Sequence, residues 1–141
     1  MLDTAHLDLN NLKYVLETDF FEDGEEFTTF FRWATHLNQF NFIANEKNVM
    51  INIDSLGEYG KMEQEKAVKF IEKLKEHGLL IEITMPDNAY YMINPSLAVS
   101  KNIYENWVHI FVHDFSELEE NGVLKDIPDS YWEETSEEEG E

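Results

Sequence analysis

The chain contains no cysteine and has only 3 proline, 6 glycine and 10 basic residues among its 141 residues. Disulfides and thiolate-bound metals are therefore excluded. No apolar run reaches the roughly 18 residues that a membrane-spanning helix needs. The N-terminal MLDTAHLDLN also lacks the basic segment and apolar stretch of a secretion signal. We expect a cytoplasmic protein with no membrane association.

Acidic residues are abundant, with 30 Asp and Glu and a formal net charge of -20. A hydrophobic share of 43%, including 10 Phe, still provides enough apolar surface for one compact domain. The acidic excess is uneven: residues 61–113 hold 7 acids and 6 bases, whereas residues 114–141 hold 12 acids and one base. We predict a folded domain over residues 1–118 and a flexible acidic tail over residues 119–141.

Hydrophobic periodicity predicts the elements of the middle of the chain. Helical spacing of apolar residues predicts helices over residues 25–39 and 61–77, the second ended by Gly78. Asp54 is expected to cap a short helix that runs through Tyr59. Strict alternation in NVMINI predicts a strand over residues 48–53.

The flanking segments give two further predictions. Residues 79–84 and 89–93 are β-rich runs joined by MPDN, which predicts a hairpin, and residues 102–118 have the spacing of an amphipathic helix. Residues 7–20 fit a strand or a helix, and we favour the strand.

Three stretches in this order, HLNQFNFIANEKNVMIN, KAVKFIEKLKEHGLL and YMINPSL, carry a family resemblance. Over about residues 27–97 the chain resembles the winged-helix replication proteins of plasmids and phages of Gram-positive bacteria. The resemblance implies an α+β winged helix-turn-helix with a β-hairpin wing, here with an extra N-terminal segment and a C-terminal helix. It also implies a bacterial host cell, a helix at residues 62–77 that lies in a DNA groove and a wing that touches phosphates.

The charges on this region disagree with DNA binding. Duplex DNA is bound through several Lys or Arg side chains on one surface, yet residues 79–100 contain neither. The residues that would contact nucleic acid are Lys61, Gln64, Lys66, Lys69 and Lys73, interspersed with acids.

We therefore expect a non-catalytic interaction protein of phage or mobile-element type. Its partner would be a basic or nucleic-acid-binding protein of the host, which it would inhibit as a DNA mimic. The alternative is a replication initiator or transcription regulator that binds duplex DNA. A monomer and a homodimer both remain open.

Two segments combine aromatic residues with acids and are candidate protein-binding sites. In the first, Phe20 and Phe21 border an acidic turn, and we expect these two rings to be partly exposed. The acids of this turn are Glu22, Asp23, Glu25 and Glu26. In the second, Tyr131 and Trp132 form an exposed binding element or dock back on the domain.

Motifs for catalysis are missing from the sequence. There is no nucleophile elbow and no glycine-rich phosphate loop. His109 and His113 lie four residues apart without the HExxH order, so we interpret them as a surface or partly buried pair. We expect no enzymatic activity, no metal and no cofactor.

Overall fold

The computed structural model describes residues 5–132, apart from the side chain of Glu105. In this part of the chain the fold is α+β, with two small antiparallel sheets. In chain order the elements are β1 (Ala5–Leu7), α1 (Leu9–Glu17), α2 (Gly24–Ala34), α3 (Ile53–Gly60), α4 (Gln64–Glu76), β2 (Leu80–Thr84), β3 (Ala89–Ile93), β4 (Ala98–Ser100), α5 (Glu105–Val108), a 3-10 turn (His109–Phe111) and α6 (Val112–Asn121).

The favoured strand over residues 7–20 is wrong, because most of this segment is α1. The Asp8 side chain accepts a hydrogen bond of 3.0 Å from the backbone N–H of Asn11 and caps the helix. Leu12 and Val15, three residues apart, are buried on one face. The extended part of this region is β1, which ends at Leu7 and pairs antiparallel with β4.

Helices α2, α3 and α4 pack together within the main core. Trp33 of α2 stacks on Phe70 of α4 at 5.8 Å between ring centroids, and its indole N–H donates to the Leu56 carbonyl of α3 at 3.2 Å. The buried face of α4 consists of four apolar residues at helical spacing: Ala67, Phe70, Ile71 and Leu74. Indole hydrogen bonding inside this contact fixes α3 against α2.

The strand predicted over residues 48–53 is largely wrong. Met50 forms an isolated bridge with Ala44, and Asn52 forms one with Tyr90. Ile53 is already helical, because the Asn52 side chain accepts from the backbone N–H of Asp54 at 3.1 Å and begins α3 there.

The hairpin is confirmed, with β2 and β3 paired from Leu80↔Ile93 to Thr84↔Ala89. Gly78 has a φ of 77°, the left-handed conformation that ends α4 as expected. On the far side of β3, the Ile43 N–H donates to the Tyr91 carbonyl at 2.9 Å and the Ile93 N–H donates to the Asn41 carbonyl at 3.0 Å. β3 is therefore central and β2 forms one edge.

The helix predicted over residues 102–118 is divided into α5, the 3-10 turn and α6. Phe115 of α6 is buried against Trp132, so the predicted boundary at residue 118 falls inside an element that belongs to the domain. Leu124 is also buried, which places residues 119–132 on the domain. The rest of the predicted tail, residues 133–141, lies outside the described residues.

Candidate functional site

The predicted protein-binding acids and the predicted nucleic-acid-binding lysines lie against each other. Lys66 of α4 contacts Asp23, at 3.3 Å, and Glu25, both at the start of α2. About two turns further along α4, Lys73 pairs with Glu26 at 3.0 Å. Three of the predicted protein-binding acids and two of the predicted nucleic-acid-binding lysines are thus paired with one another between the start of α2 and α4.

Local backbone chemistry places these acids. Asp23 caps α2 by accepting from the Glu26 N–H at 3.0 Å, and Glu26 accepts from the Glu22 N–H at 3.0 Å. The pKa of Asp23 is lowered, first by the backbone hydrogen bond from Glu26 and then by Lys66. The pKa of Lys66 is raised, chiefly by its hydrogen bond to Glu25. Both side chains therefore favour their charged forms.

The expectation that Phe20 and Phe21 are partly exposed is wrong. Both are buried, at 7% and 8% exposure. Phe20 meets Phe21 edge to face at 5.2 Å, and the Lys73 ammonium lies 4.6 Å from the centroid of its ring. These rings close the core beneath the acidic turn, so they are not free to anchor a partner.

The exposed face of α4 carries more acid than base. Lys61 and Lys69 are exposed and form no ion pair within residues 5–132, and the amide of Gln64 donates to the Ile53 carbonyl at 2.8 Å. The acids exposed on or beside the same helix are Glu63, Glu65, Glu72 and Glu76. A phosphate approaching this face would meet a negative field.

The hairpin adds no positive charge. Glu82 of β2 pairs with Lys75 at 3.2 Å, and Lys75 also contacts Glu72 at 3.3 Å. At the tip, Asp87 accepts a hydrogen bond from the Tyr90 hydroxyl. The cation nearest the hairpin is thus shared by two carboxylates.

Trp132 is a core residue and not a binding element. It is 2% exposed, stacks on Phe115 with ring centroids 5.4 Å apart, and donates from its indole nitrogen to the Asn94 side chain at 3.2 Å. Tyr131 is half-buried, and its backbone N–H donates to the Ser96 hydroxyl at 3.0 Å. The segment docks back on the domain, which was the second possibility considered from sequence.

A buried carboxylate holds this segment in place, and sequence reasoning missed it. Glu119 of α6 is 5% exposed and accepts from the Asn94 amide at 2.7 Å, the Ser96 hydroxyl at 2.8 Å and the Ser130 hydroxyl at 2.7 Å. Glu119 lies four residues after Phe115, which puts both on the buried side of α6. This spacing is the feature of the sequence from which its burial could have been predicted. The three donors satisfy the charge, so the cluster is structural.

A groove lies between β2 of the hairpin and the end of the 3-10 turn with α6. Its volume is about 410 Å³. It is lined by Ile81, Glu82, Ile83, Phe111, Asp114, Glu117 and Leu118. Its apolar side chains are half-buried, whereas the three acids at its rim are exposed.

His109 and His113 are both exposed, as one of the two expected placements had it. Within residues 5–132 no three His, Asp or Glu side chains gather in a way that could hold a metal ion. The same part of the chain has no helix with the length and apolarity to cross a bilayer. Comparisons with family models, curated proteins and solved structures gave no match.

Proposed function

We propose that residues 24–93 form a winged helix-turn-helix. The support is the order of elements: α2, an extended segment beside β3, α3, α4 and the hairpin. In this interpretation α4 occupies the place of a recognition helix and β2 with β3 the place of the wing. β1, α1 and the chain from α5 onward are additions to that unit.

We further propose that the protein is a non-catalytic interaction module of phage or mobile-element origin. Its partner would be a basic, nucleic-acid-handling protein of a bacterial host, inhibited because the module occupies a surface built for phosphate. The observation that carries this proposal is the neutralisation of Lys66 and Lys73 by the acids of α2. It leaves α4 with an exposed face on which acids outnumber bases.

Electrostatics explains how such a module would find its partner. A net charge of -20 produces a field that attracts basic grooves and raises association rates by about 10- to 1,000-fold at low salt. The same field repels duplex DNA. Ligand choice would therefore be set by charge before any specific contact forms.

The test is a competition on immobilised duplex DNA. Proteins from a bacterial lysate are bound to DNA beads, the full chain is added at low salt, and the released proteins are identified by mass spectrometry. Polyglutamate of equal total charge is the control. We expect the chain to release a defined protein that polyglutamate leaves bound.

Two results would overturn the proposal. One is retention of the chain itself on the DNA beads, lost in a Lys66→Glu, Lys69→Glu variant, which would identify a DNA-binding initiator or regulator. The other is a release pattern identical to that of polyglutamate, which would reduce the effect to bulk charge.

A further inference from the structure

Within residues 5–132, β2 pairs only with β3, so its other edge has no partner strand. The register pairs Ile81 with Met92 and Ile83 with Tyr90, and the adjoining Met85 N–H donates to the Asn88 carbonyl. In an antiparallel ladder, hydrogen-bonded pairs alternate, so the backbone N–H and C=O groups of Glu82 and Thr84 point away from β3. Such an edge is a template for another strand.

The groove between β2 and α6 is lined by apolar side chains and by acidic side chains. Ile81 and Ile83 of β2 face Phe111 and Leu118 across the groove, and all four are half-buried. Asp114 and Glu117 stand on the α6 side and are exposed. Phe111 at the end of the 3-10 turn, with Asp114 and Leu118 of α6, presents an apolar, acidic, apolar series to the groove.

Charge selects among the possible occupants. The only basic side chain that contacts a groove residue through an ion pair in the described part of the chain is Lys75, and Glu72 and Glu82 already share it. The chain's own residues 133–141 contain six acids and no base, and a second copy of this groove would present the same acids. Like charges oppose both. An extended basic segment is complementary.

We propose that the groove between β2 and α6 binds an extended segment of the partner that alternates apolar side chains with Lys or Arg. The segment would add to the edge of β2 through the backbone of Glu82 and Thr84, place an apolar side chain among Ile81, Ile83 and Phe111, and pair a basic side chain with Asp114 or Glu117. This proposal rests on the proposed function, because the segment belongs to the basic partner.

The experiment is selection from a random peptide library against the full chain, followed by affinity measurements with the selected peptides. We expect a consensus of alternating apolar and basic residues. An Asp114→Asn, Glu117→Gln variant should bind them about tenfold more weakly, the loss typical of charged hydrogen bonds. The matched control, Asp54→Asn with Glu58→Gln on α3, removes the same charge from exposed positions and should bind as the unmodified chain does.

The strand addition is tested separately with Thr84→Pro. Proline removes the outward N–H without disturbing the pairs to β3, so the variant should fold, as circular dichroism would show, and should lose binding. A selected consensus without basic residues, or binding unaffected by both groove variants, would overturn the groove proposal. If proteins are still released from DNA beads by a chain with either groove variant, the proposed function stands and the groove assignment fails. If the peptides bind in a groove-dependent way but the chain releases no protein from the DNA beads, the groove assignment stands and the proposed function fails.

Discussion

At the scale of single residues, the acids of this protein differ by their surroundings. Asp23 and Glu25 pair with Lys66 at the surface, where water screens the attraction and leaves it little effect on stability. Glu119 is buried and accepts three hydrogen bonds, so its loss would leave those donors without a partner. One buried carboxylate is thus expected to contribute more than several visible surface pairs.

The Glu119→Gln substitution tests this ranking. A glutamine keeps the volume but replaces one acceptor oxygen with a donor, so at least one of the Asn94, Ser96 and Ser130 donors loses its bond. We expect a loss of about 1–3 kcal/mol in the free energy of unfolding, measured by urea denaturation.

The neighbouring Glu120 is exposed and provides the control. Glu120→Gln should change the free energy of unfolding by less than about 0.5 kcal/mol. Equal effects of the two substitutions would show that Glu119 has no special structural role.

The buried hydroxyl of Tyr91 leads to a prediction for the stability of the fold at alkaline pH. It is 3% exposed, and burial together with the nearby Glu82 raises the pKa of its hydroxyl above the ordinary value of 10.0. A raised pKa in the folded state gives stability that is fully present below pH 10.0 and is lost as pH rises toward the folded value. Stability of the unmodified chain should therefore fall above that pH.

The Tyr91→Phe variant should lose less stability than the unmodified chain over the same alkaline range, because it has no hydroxyl to ionise. Urea denaturation at a series of pH values from neutral to alkaline measures the two slopes. Parallel slopes would show that ionisation of Tyr91 does not drive alkaline unfolding.

At the scale of elements, the junction after α4 joins three parts of the molecule. Gly78 ends the helix at φ 77°, its carbonyl accepts from the Asn94 amide at 2.9 Å, and a Cβ built on it would lie 2.7 Å from the Leu118 Cβ. α6 therefore packs directly on the helix end. Both the backbone conformation and the space demand glycine here.

Gly78→Ala should be strongly destabilising, and Gly24→Ala should not. Strain from a left-handed alanine costs about 1–3 kcal/mol before the clash with Leu118 is added. Gly24, in the first turn of α2, has open space around its Cβ position, and alanine gains helix propensity there. Thermal melts of the two variants measure the contrast, and equal melting temperatures would contradict it.

The elements predicted correctly are those whose local signals agree. α4 has an apolar stripe and a glycine stop, and the hairpin has two β-rich runs around MPDN. α1 was mistaken for a strand because Leu12, Tyr14 and Leu16 alternate, whereas the cap at Asp8 decides for a helix. The residues 48–53 likewise alternate, but a cap at Asn52 begins α3 inside them. Side-chain caps outweighed alternation in both places.

The candidate site was harder to predict because its contacts are distant in sequence. The spacing of apolar residues predicted α4 and its lysines. The acids that pair with these lysines are distant in sequence: Glu25 lies 41 residues from Lys66, and Glu26 lies 47 residues from Lys73. Phe20 lies against Lys73 and Trp132 stacks on Phe115, and no local sequence pattern links the members of either pair. Composition showed the excess of acid, and only the fold shows which acids are already paired.

At the scale of the whole molecule, repulsion among acids competes with the few ion pairs that the fold makes. The net charge of -20 spreads over a chain of 141 residues, whereas each exposed ion pair of residues 5–132 stabilises the fold only slightly, because water screens it. Self-repulsion destabilises a compact state, and salt screens it beyond a distance of about 8–10 Å. We therefore expect the repulsion to dominate the response of the protein to salt.

The melting temperature should accordingly rise by a few degrees as NaCl increases from low to physiological concentration, because salt screens the repulsion. For a domain of this size, each kcal/mol of added stability raises the melting temperature by about 2–8 °C. Circular dichroism at each salt concentration measures it. A Glu63→Gln, Glu65→Gln variant, which removes two exposed acids beside α4, should melt higher at low salt and respond less to NaCl. A melting temperature that falls with salt would mean that the pairs of Lys66, Lys73 and Lys75 outweigh the repulsion.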